Sequence, residues 1–485
     1  MNKINRPPEG AEAQDLDAPV RRALAYLGPA PANWVLPRAG IDHDVAIIGG
    51  GQNGVAAAFE LRRLGITNVT VIEAAEEGSQ GGWRHPARMR GLRTPKLAPG
   101  PEFGIAELSF RYWFEARFGA AAFDALPTIR RTDWADYLDW YRRIVGVPVR
   151  FSTRVVRIEP FGEFLKLHLE VGGKPKVETA RKVLWVGGIS SFGGAFTPAF
   201  IAENLPKAAW SHTSEHIDFN AFSGKRVAVL GAAASAFDAA AVALEHGATH
   251  VDLFCRRDQI TNVANFRGRS YPGALFNYPS IPDRDRWRYN VIHRRLGSSP
   301  PRDAILRVSD KDNFRIHFNA EWSNLRHDNG AVRFNSNGRD FELDHVIAAT
   351  GYSFDPNDAA VFKDIAGHIA LWRDRYKPEP EWADERVGAY PYLGSAYQLT
   401  EKTEGAAPYL KNIHVFTASG TVSFGRPVSD IPSIYRGIPI IANGILRDLF
   451  FEDYEAHLAG TLREPTPEFD AALYAKVVAH EAETA

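Results

Sequence analysis

Three closely spaced glycines are the first residues in this chain whose type and spacing indicate chemistry. Gly49, Gly51 and Gly54 follow an apolar run at 45–48 and precede a segment of helical periodicity at 55–64. In such a turn the first glycine permits the bend, the second lets a pyrophosphate approach the backbone, and the third lets helix and strand pack closely. Because the amides and dipole at a helix start attract phosphate, the pattern predicts a dinucleotide-binding unit.

An acidic residue supports this interpretation. A second apolar run, residues 68–72, ends at Glu73, which lies 24 residues after Gly49. An acid at about 20 residues past the first glycine commonly bonds a ribose hydroxyl. A glycine-rich turn without a ligand is the alternative, but the strand, helix, second strand and acid together favour the dinucleotide site.

Overall composition restricts the class of protein. The chain has 485 residues, 45% of them hydrophobic, which suits two or three domains with sizeable cores. Its 57 basic and 58 acidic residues leave a net charge of −1, so nothing global favours nucleic acid or an anionic membrane. No apolar run approaches the roughly 18 residues of a membrane helix, and the polar start, residues 1–17, does not resemble a secretory signal. These features predict a cytoplasmic protein that binds neither nucleic acid nor membrane.

A second strand–turn–helix unit occurs farther along the chain. The strand is predicted at 225–230 and the helix at 237–246, with a turn that begins at Gly231 and contains Ser235. Alanines 233 and 236 occupy the second and third glycine positions. Alanine is common in the third position, whereas in the second it implies a slightly wider phosphate approach. A degenerate unit kept only as scaffold is the alternative.

Two arginines follow the second strand of this unit. Arg256 comes 25 residues after Gly231, where the first unit has Glu73, and Arg257 is next to it. Cations at this position favour the 2′-phosphate of NADPH over the free ribose hydroxyl of NADH. The two units together indicate electron flow from a nicotinamide to a flavin.

The order of the units predicts the fold class and domain boundaries. We expect an α/β protein with two Rossmann-like dinucleotide-binding domains, the NADPH domain inserted in the FAD domain. The expected segments are an N-terminal tail at 1–40, the FAD-binding domain at 41–190 and 345–485, and the NADPH-binding domain at 220–344 with an irregular lid insert at 261–302.

Two further segments are candidates for the site. The loop at 78–99 contains Gly82 and Trp83 and is rich in arginine. We interpret this loop as one that packs against a flavin or binds an anionic substrate. A solvated surface is the alternative. Asp430 precedes a predicted helix that carries proline at its second position, a typical N-terminus. Such a helix end could stabilise the negative charge of a reduced flavin.

Several motifs resemble one enzyme family. The tandem glycine units, the Gly81-Gly82-Trp83 run and the sequence Ala-Thr-Gly-Tyr at 349–352 resemble flavin monooxygenases with two dinucleotide folds. This group includes flavin-containing monooxygenases, Baeyer–Villiger enzymes and ornithine and lysine N-hydroxylases. His212 matches the histidine of the group's signature between the two units. Residues 88–96 and 429–432 look like a bacterial branch similar to flavin-dependent urate hydroxylases.

The resemblance implies a reaction and a set of site residues. NADPH would reduce FAD, O2 would form a C4a-hydroperoxide, and one oxygen atom would pass to a small molecule such as a urate-like heterocycle or an amine nitrogen. A homodimer is also implied, and no metal. The implied cofactor contacts are Gly49, Gly51, Gly54, Glu73, Gly82, Trp83, Gly231, Ser235, Arg256, Arg257, Gly351 and Asp430. The implied catalytic residues are His212, Arg93 and Asp430, and the implied substrate contacts are Arg88, Lys96 and Arg267.

Other functions were weighed against this one. A pyridine nucleotide–disulfide reductase needs two redox cysteines, and Cys255 is the single cysteine. An amine oxidase needs only one nucleotide unit. Baeyer–Villiger or sulfide oxygenation, and a non-catalytic or oxidase-type flavoprotein, stay open as alternatives.

Overall fold

The computed structural model describes residues 15–263, 271–425, 428–463 and 467–478 as a mixed α/β protein. The strands are β1 (His43–Ile48), β2 (Val69–Ile72), β3 (Thr153–Phe161), β4 (Phe164–Val171), β5 (Lys174–Trp185), β6 (Gly194–Ala195), β7 (Trp210–His212), β8 (Arg226–Leu230), β9 (His250–Phe254), β10 (Phe314–His317), β11 (Trp322–Asp328), β12 (Ala331–Ser336), β13 (Arg339–Leu343), β14 (His345–Ala348), β15 (Tyr352–Ser353) and β16 (Ile413–Val415). The helices are α1 (Asp17–Tyr26), α2 (Gln52–Arg63), α3 (Phe110–Phe118), α4 (Ala120–Ala125), α5 (Arg131–Ile144), α6 (Ala199–Asn204), α7 (Ala234–Glu245), α8 (Pro272–Asn277), α9 (Asp283–Leu296), α10 (Arg302–Leu306), α11 (Trp372–Arg375), α12 (Glu385–Gly388), α13 (Thr421–Phe424), α14 (Ile431–Glu452) and α15 (Tyr454–Arg463). Within these ranges no helix is both long and apolar enough to cross a bilayer.

The first glycine turn lies at the end of β1, which is flanked by β2 and β5 in a six-stranded sheet. The strand order is β2-β1-β5-β4-β3, and β16 pairs with the second half of β5. Strands β2, β1, β5 and β16 run parallel, whereas β3, β4 and the first half of β5 form an antiparallel meander. Residues 44–48 of β1 are buried, as expected for a parallel strand covered on both faces. The carboxyl ends of the parallel strands therefore share one edge, where α/β proteins bind ligands.

The second glycine turn belongs to a separate parallel sheet of order β10-β9-β8-β14-β7. Strand β14 pairs with β8 on one side, where Val346 aligns with Ala228, and with β7 on the other, where Val346 aligns with Trp210. The expected boundary at residue 345 is therefore wrong, because 345–348 lie inside the second sheet. The buried run Val-Ile-Ala at 346–348 supplies the strand that closes this core.

Two main cores follow this division. One contains buried residues from 45–192 together with residues from 362–449. The second consists of two clusters, which contain residues from 201–349 around the second sheet. The short pair of β6 and β15, in which Ala195 aligns with Tyr352, lies where the chain crosses between the two sheets. The chain thus leaves the first core, builds the second and returns.

The segment 261–302 is more regular than expected. Its described part contains α8 and α9, and Trp287 of α9 is buried in a cluster with Trp372 and Val422. Arg286 donates from Nη1 to the Ser423 carbonyl at 3.0 Å, which fixes α9 against the returning part of the chain. The expectation of an irregular lid is therefore wrong for α9, because this helix buries an apolar face. Arg267 lies outside the described residues.

A buried ionic cluster fixes the far end of α14. Arg181 and Lys182 of β5 are fully buried. Arg181 donates from Nη2 to Asp453 Oδ2 at 3.0 Å, and Lys182 donates from Nζ to Glu452 Oε1 at 2.6 Å. Buried charges are tolerated only when they are paired in this way. The cluster anchors α14 at its carboxyl end, so that its amino end reaches the ligand-binding edge of the first sheet.

Candidate functional site

Two glycines of the first turn are required by the protein itself. Gly49 has φ +120°, and a Cβ there would lie 2.7 Å from the Val186 carbonyl oxygen. A Cβ on Gly54 would lie 1.8 Å from the Gly49 carbonyl oxygen, which would force α2 away from β1. Gly54 therefore serves the close packing of helix on strand, and Gly49 serves the close approach of the turn to the end of β5.

Position 51 is glycine for a different reason from positions 49 and 54. Its φ of −76° and ψ of −167° suit any residue, and a Cβ there would meet nothing in the chain closer than Gly81 Cα at 3.6 Å. Gly81 and Gly82 likewise leave open space beside them. No side chain caps the start of α2. Backbone amides and three glycines thus form a cradle that a Cβ would fill, which fits a pyrophosphate rather than a packing requirement.

Glu73 lies beside this cradle. Its Oε2 accepts from the Gly50 amide at 2.8 Å and its Oε1 from the Ala75 amide at 2.8 Å. A carboxylate has about four lone-pair sites, so both oxygens keep room for a ribose hydroxyl. The position predicted from sequence spacing therefore fits a ribose contact next to the phosphate turn.

Two tryptophans are held against the start of α2. The indole N–H groups of Trp83 and Trp134 donate to Gln52 Oε1 at 3.2 and 3.1 Å. Arg131 donates from Nη1 to the Trp83 carbonyl at 2.7 Å and so fixes the loop from the other side. The Trp83 ring lies edge-on to Trp134 at 6.5 Å. Loop 81–84 is thus a rigid aromatic wall beside the cradle.

The amino end of α14 completes this site. Asp430 caps the helix by accepting from the Ser433 amide at 3.2 Å, as the sequence predicted. Asn53 in the first turn of α2 donates to Ser429 Oγ at 2.9 Å, which joins the two helix starts. The Asp430 side chain reaches solvent, but the atoms packed around it still desolvate the carboxyl, and this burial raises its pKa. Hydrogen bonds from Ser433 and the charge of Arg436 act in the opposite direction and lower the pKa. Two helix amino ends and a glycine cradle therefore meet at one edge, an arrangement that suits FAD.

The second turn repeats the first with one change. Gly231 has φ +127°, and a Cβ there would lie 2.4 Å from the Ala349 carbonyl oxygen. Ala233 precedes α7 with φ −93° and ψ −173°, close to the conformation of Gly51, and it has no side-chain cap either. Ser235 lies half-buried in the first turn of α7. The geometry of this helix start therefore suits a phosphate, and the phosphate contact itself stays a prediction.

The two arginines after β9 have different surroundings. Arg257 donates from Nη1 to Thr261 Oγ1 at 2.7 Å and to the Leu296 carbonyl at 2.9 Å. Arg257 therefore fixes the carboxyl end of α9. Its contact with the cofactor stays a prediction, and we do not include it in the proposed function. Arg256 is exposed, and within the part of the chain that the structure describes it forms no hydrogen bond. A contact between Arg256 and a 2′-phosphate therefore stays a prediction.

His212 has a structural place. It is fully buried at the carboxyl end of β7, and its Nδ1 accepts from the Ser214 amide at 3.1 Å. Burial lowers the pKa of His212, and the Nδ1 atom that accepts the Ser214 amide carries no proton. Its ring lies 5.9 Å from that of Tyr352, next to Gly351, whose φ is +86°. His212 supports the turn at this edge, and nothing in the geometry exposes it to a substrate.

The cations predicted to bind substrate have partners within the chain. Arg88 donates to the Thr213 and Glu215 carbonyls at 2.6 and 2.9 Å. Arg93 donates to Asp238 Oδ2 at 2.7 Å. Lys96 donates to the Phe123 and Asp124 carbonyls at 2.9 and 3.0 Å, at the end of α4. Contacts across the fold occupy all three groups, so the geometry does not favour the substrate roles of Arg88 and Lys96 or the catalytic role of Arg93, which stay predictions.

Sequence reasoning missed Gln52, Asn53 and Trp134. Gln52 and Asn53 occupy variable positions of the glycine fingerprint, which the motif does not specify. Trp134 has the helical spacing of a core residue, and it is indeed buried, but its indole N–H faces the site. The indole N–H is the signal that could have identified Trp134, because it usually finds a hydrogen-bond partner when a tryptophan is buried.

Comparisons with known proteins give the family. Residues 46–268 match the pyridine nucleotide–disulphide oxidoreductase family. A FAD-dependent urate hydroxylase of Xanthomonas campestris is 34% identical over 94% of this chain and 96% of its own. L-lysine 6-monooxygenase of Pseudomonas syringae superposes with a TM-score of 0.65 at 20% identity, covering 84% of this chain and 99% of that one. The reduced ornithine hydroxylase of Pseudomonas aeruginosa gives 0.65 at 16% identity, over 84% and 100%.

These similarities confirm the resemblance that the motifs indicated and the two-domain dinucleotide-binding fold. The structural neighbours are too distant in sequence to show more than the fold. The urate hydroxylase matches nearly the full length of both chains. The chain therefore belongs to the family of FAD-dependent monooxygenases that this urate hydroxylase represents.

Proposed function

We propose that the chain is an NADPH-consuming monooxygenase that inserts one oxygen atom of O2 into urate or a closely related oxidised purine. The observation that carries this proposal is the 34% identity to a urate hydroxylase over 94% of the chain. The cradle at Gly51 and the two helix starts beside it are consistent with FAD as the resident cofactor. When bound, the flavin accepts a hydride from the nicotinamide and activates O2.

Each group of the first site has a defined task. The amides at the start of α2 bind the pyrophosphate, and Glu73 accepts a ribose hydroxyl. Trp83 and Trp134, both fixed on Gln52, hold an apolar wall that keeps water away from the reacting atoms. The amino end of α14 offsets negative charge that develops on the reduced ring. These tasks need no nucleophile–base pair.

The second site determines the choice of reductant. The amides before α7 bind the NADPH pyrophosphate, and Ser235 lies among them. Arg256, which is exposed just after β9, binds the 2′-phosphate, which NADH lacks. A preference for NADPH over NADH follows.

The test is a substrate panel with the FAD-loaded protein. NADPH oxidation would be followed with urate, xanthine, L-ornithine, L-lysine, a sulfide and a cyclic ketone, while hydrogen peroxide is measured in parallel. We expect urate to accelerate NADPH oxidation and to disappear in equal amount, with little peroxide. Coupled turnover of an amine, sulfide or ketone instead of urate would indicate the activity of another branch of the flavin monooxygenases. Peroxide formation with every compound would indicate an oxidase.

A further inference from the structure

The segment 88–93 is rigidly attached to the first domain. The Leu92 amide donates to the Ile129 carbonyl at 2.7 Å, and the Arg131 amide donates to the Arg90 carbonyl at 3.2 Å. Gly91 pairs with Arg130 in an isolated bridge, and Leu92 is buried. The backbone of this segment is therefore part of the first domain.

The arginines of the same segment bind the second domain. Arg93 forms an ion pair with Asp238 of α7 at 2.7 Å, and Arg90 forms one with Glu245 at the end of α7 at 2.7 Å. Arg88 donates to the carbonyls of Thr213 and Glu215 in the turn after β7. One short segment thus holds the second domain both on the helix of its phosphate turn and on the edge beside His212.

Arg307 completes the contact from the second domain. It is 8% exposed and lies 3.3 Å from Asp238 Oδ1 and 3.0 Å from Glu245 Oε2. It also donates to the Arg88 carbonyl at 3.2 Å. Asp238 is therefore the shared partner of one arginine from each domain. We call Arg88, Arg90, Arg93, Asp238, Glu245 and Arg307 the interdomain clamp.

Asp238 is the buried centre of the clamp. Its side chain is 6% exposed. Burial raises the pKa of its carboxyl, whereas the charges of Arg93 and Arg307 lower it. Removing one partner of a buried pair leaves the other charge uncompensated, so such a contact has a strong geometric preference. The rim pair of Arg90 and Glu245 is more exposed and is screened by water and salt.

We propose that the interdomain clamp sets the position of the NADPH-binding domain relative to the flavin, with Asp238 as its positioning residue. This inference rests on the proposed function, since it assumes that NADPH reduces the flavin. Hydride transfer requires reacting atoms about 3–3.5 Å apart, and a misplacement of about 1 Å can cost about 100-fold in rate. Asp238 lies in the second turn of α7, the helix that begins at the phosphate-binding turn. A shift of this helix therefore shifts the bound nicotinamide.

The test compares Asp238→Asn, Arg93→Ala and Arg93→Lys in the FAD-loaded protein. Asp238→Asn keeps the shape of the side chain and removes its charge. Arg93→Ala acts at a half-exposed position, so it can still be tested if Asp238→Asn fails to fold. The control is Glu342→Gln, which removes an exposed pair with Arg333 in the β11–β13 sheet. Four quantities are measured: the anaerobic rate of flavin reduction by NADPH, the Kd of NADP+, the FAD content, and the rate at which dithionite-reduced enzyme reacts with O2.

We expect Asp238→Asn and Arg93→Ala to lower the reduction rate about tenfold or more. The FAD content, the oxygen reaction and the Kd of NADP+ should stay within about twofold, because these depend on each domain separately. Arg93→Lys should recover most of the rate, since it retains the cation and Arg93 meets Asp238 through one hydrogen bond rather than a bidentate pair. Hydrogen exchange should increase in segments 88–93 and 213–219 of the variants and not in the control.

Two results would overturn the clamp. One is an unchanged reduction rate in both variants. The other is an equal loss in reduction, oxygen reaction and FAD content, which would indicate general destabilisation. Failure of the part of the proposed function on which the clamp rests is separate, because the unmodified enzyme would then not be reduced by NADPH at all. In that case the hydrogen-exchange comparison still tests the clamp as a physical contact.

Discussion

Replacing Gly51 with alanine separates a ligand requirement from a folding requirement. The φ of −76° and ψ of −167° at Gly51 are accessible to alanine, and Ala233 adopts nearly the same conformation in the second turn. The added Cβ would lie 3.6 Å from Gly81 Cα, an ordinary contact. The substitution should therefore leave the protein folded and place a methyl group where the FAD pyrophosphate approaches.

The expected magnitudes differ for folding and binding. Alanine lowers the entropy of the unfolded chain and should stabilise the cofactor-free protein by about 0.4–1 kcal/mol. Its poorer capping of α2 offsets a few tenths of that, so the free energy of unfolding should change by less than about 1 kcal/mol. A methyl group forced against a bound ligand costs about 1–3 kcal/mol, which raises the Kd of FAD about 5- to 150-fold.

The assay uses cofactor-free protein, with urea unfolding for stability and flavin fluorescence for the Kd of FAD. The matched control is Gly54→Ala, whose Cβ would lie 1.8 Å from the Gly49 carbonyl oxygen. That variant should lose about 3 kcal/mol of stability even without FAD, because α2 must move from β1. If Gly51→Ala bound FAD within about twofold of the unmodified protein, the cradle would not be the pyrophosphate site.

Three other substitutions test separate parts of the account. Arg256→Ala should raise the Kd of NADPH about 10- to 100-fold and leave that of NADH within about twofold, because only NADPH carries the 2′-phosphate; equal effects on both, measured by titration, would remove Arg256 from this role. Lys96→Met should lower the melting temperature and leave the KM for urate within about twofold, since Lys96 binds the end of α4; a large rise in KM would restore its substrate role. Although burial raises it, hydrogen bonds from Arg150, Lys176 and His43 lower the pKa of Glu178 to about 2. Glu178→Gln should therefore cost about 1.5–3 kcal/mol near neutral pH, and urea unfolding should show the difference shrinking as the pH falls from about 4.5 towards about 2; a constant difference would contradict this.

The glycine turns were predictable because their chemistry is local. Gly54 is defined by a contact with Gly49 within one strand–turn–helix unit, Gly49 by the positive φ of its own turn, and the offset to Glu73 follows from the length of that unit. The cap at Asp430 is equally local, because the side chain and the amide that it accepts are three residues apart. Local patterns of this kind specify structure without knowledge of the rest of the fold.

The cationic loop was not predictable in the same way. Arg88, Arg93 and Lys96 have the composition of an anion site, but their partners lie 125, 145 and 27 residues away in sequence. Whether a guanidinium meets a ligand or a buried carboxylate depends on tertiary packing, which spacing does not encode. The same reason explains α9, whose apolar face is matched by Trp372 and Val422 from the returning chain.

The central claim is that the chain inserts one atom of O2 into an oxidised purine at the expense of NADPH. The most direct test is a single incubation of the FAD-loaded protein with NADPH, urate and heavy-isotope O2, followed by mass spectrometry of the purine product. We expect one heavy oxygen atom in each product molecule and one NADPH consumed for each urate lost. A product without heavy oxygen, or unchanged urate beside a full yield of hydrogen peroxide, would contradict it.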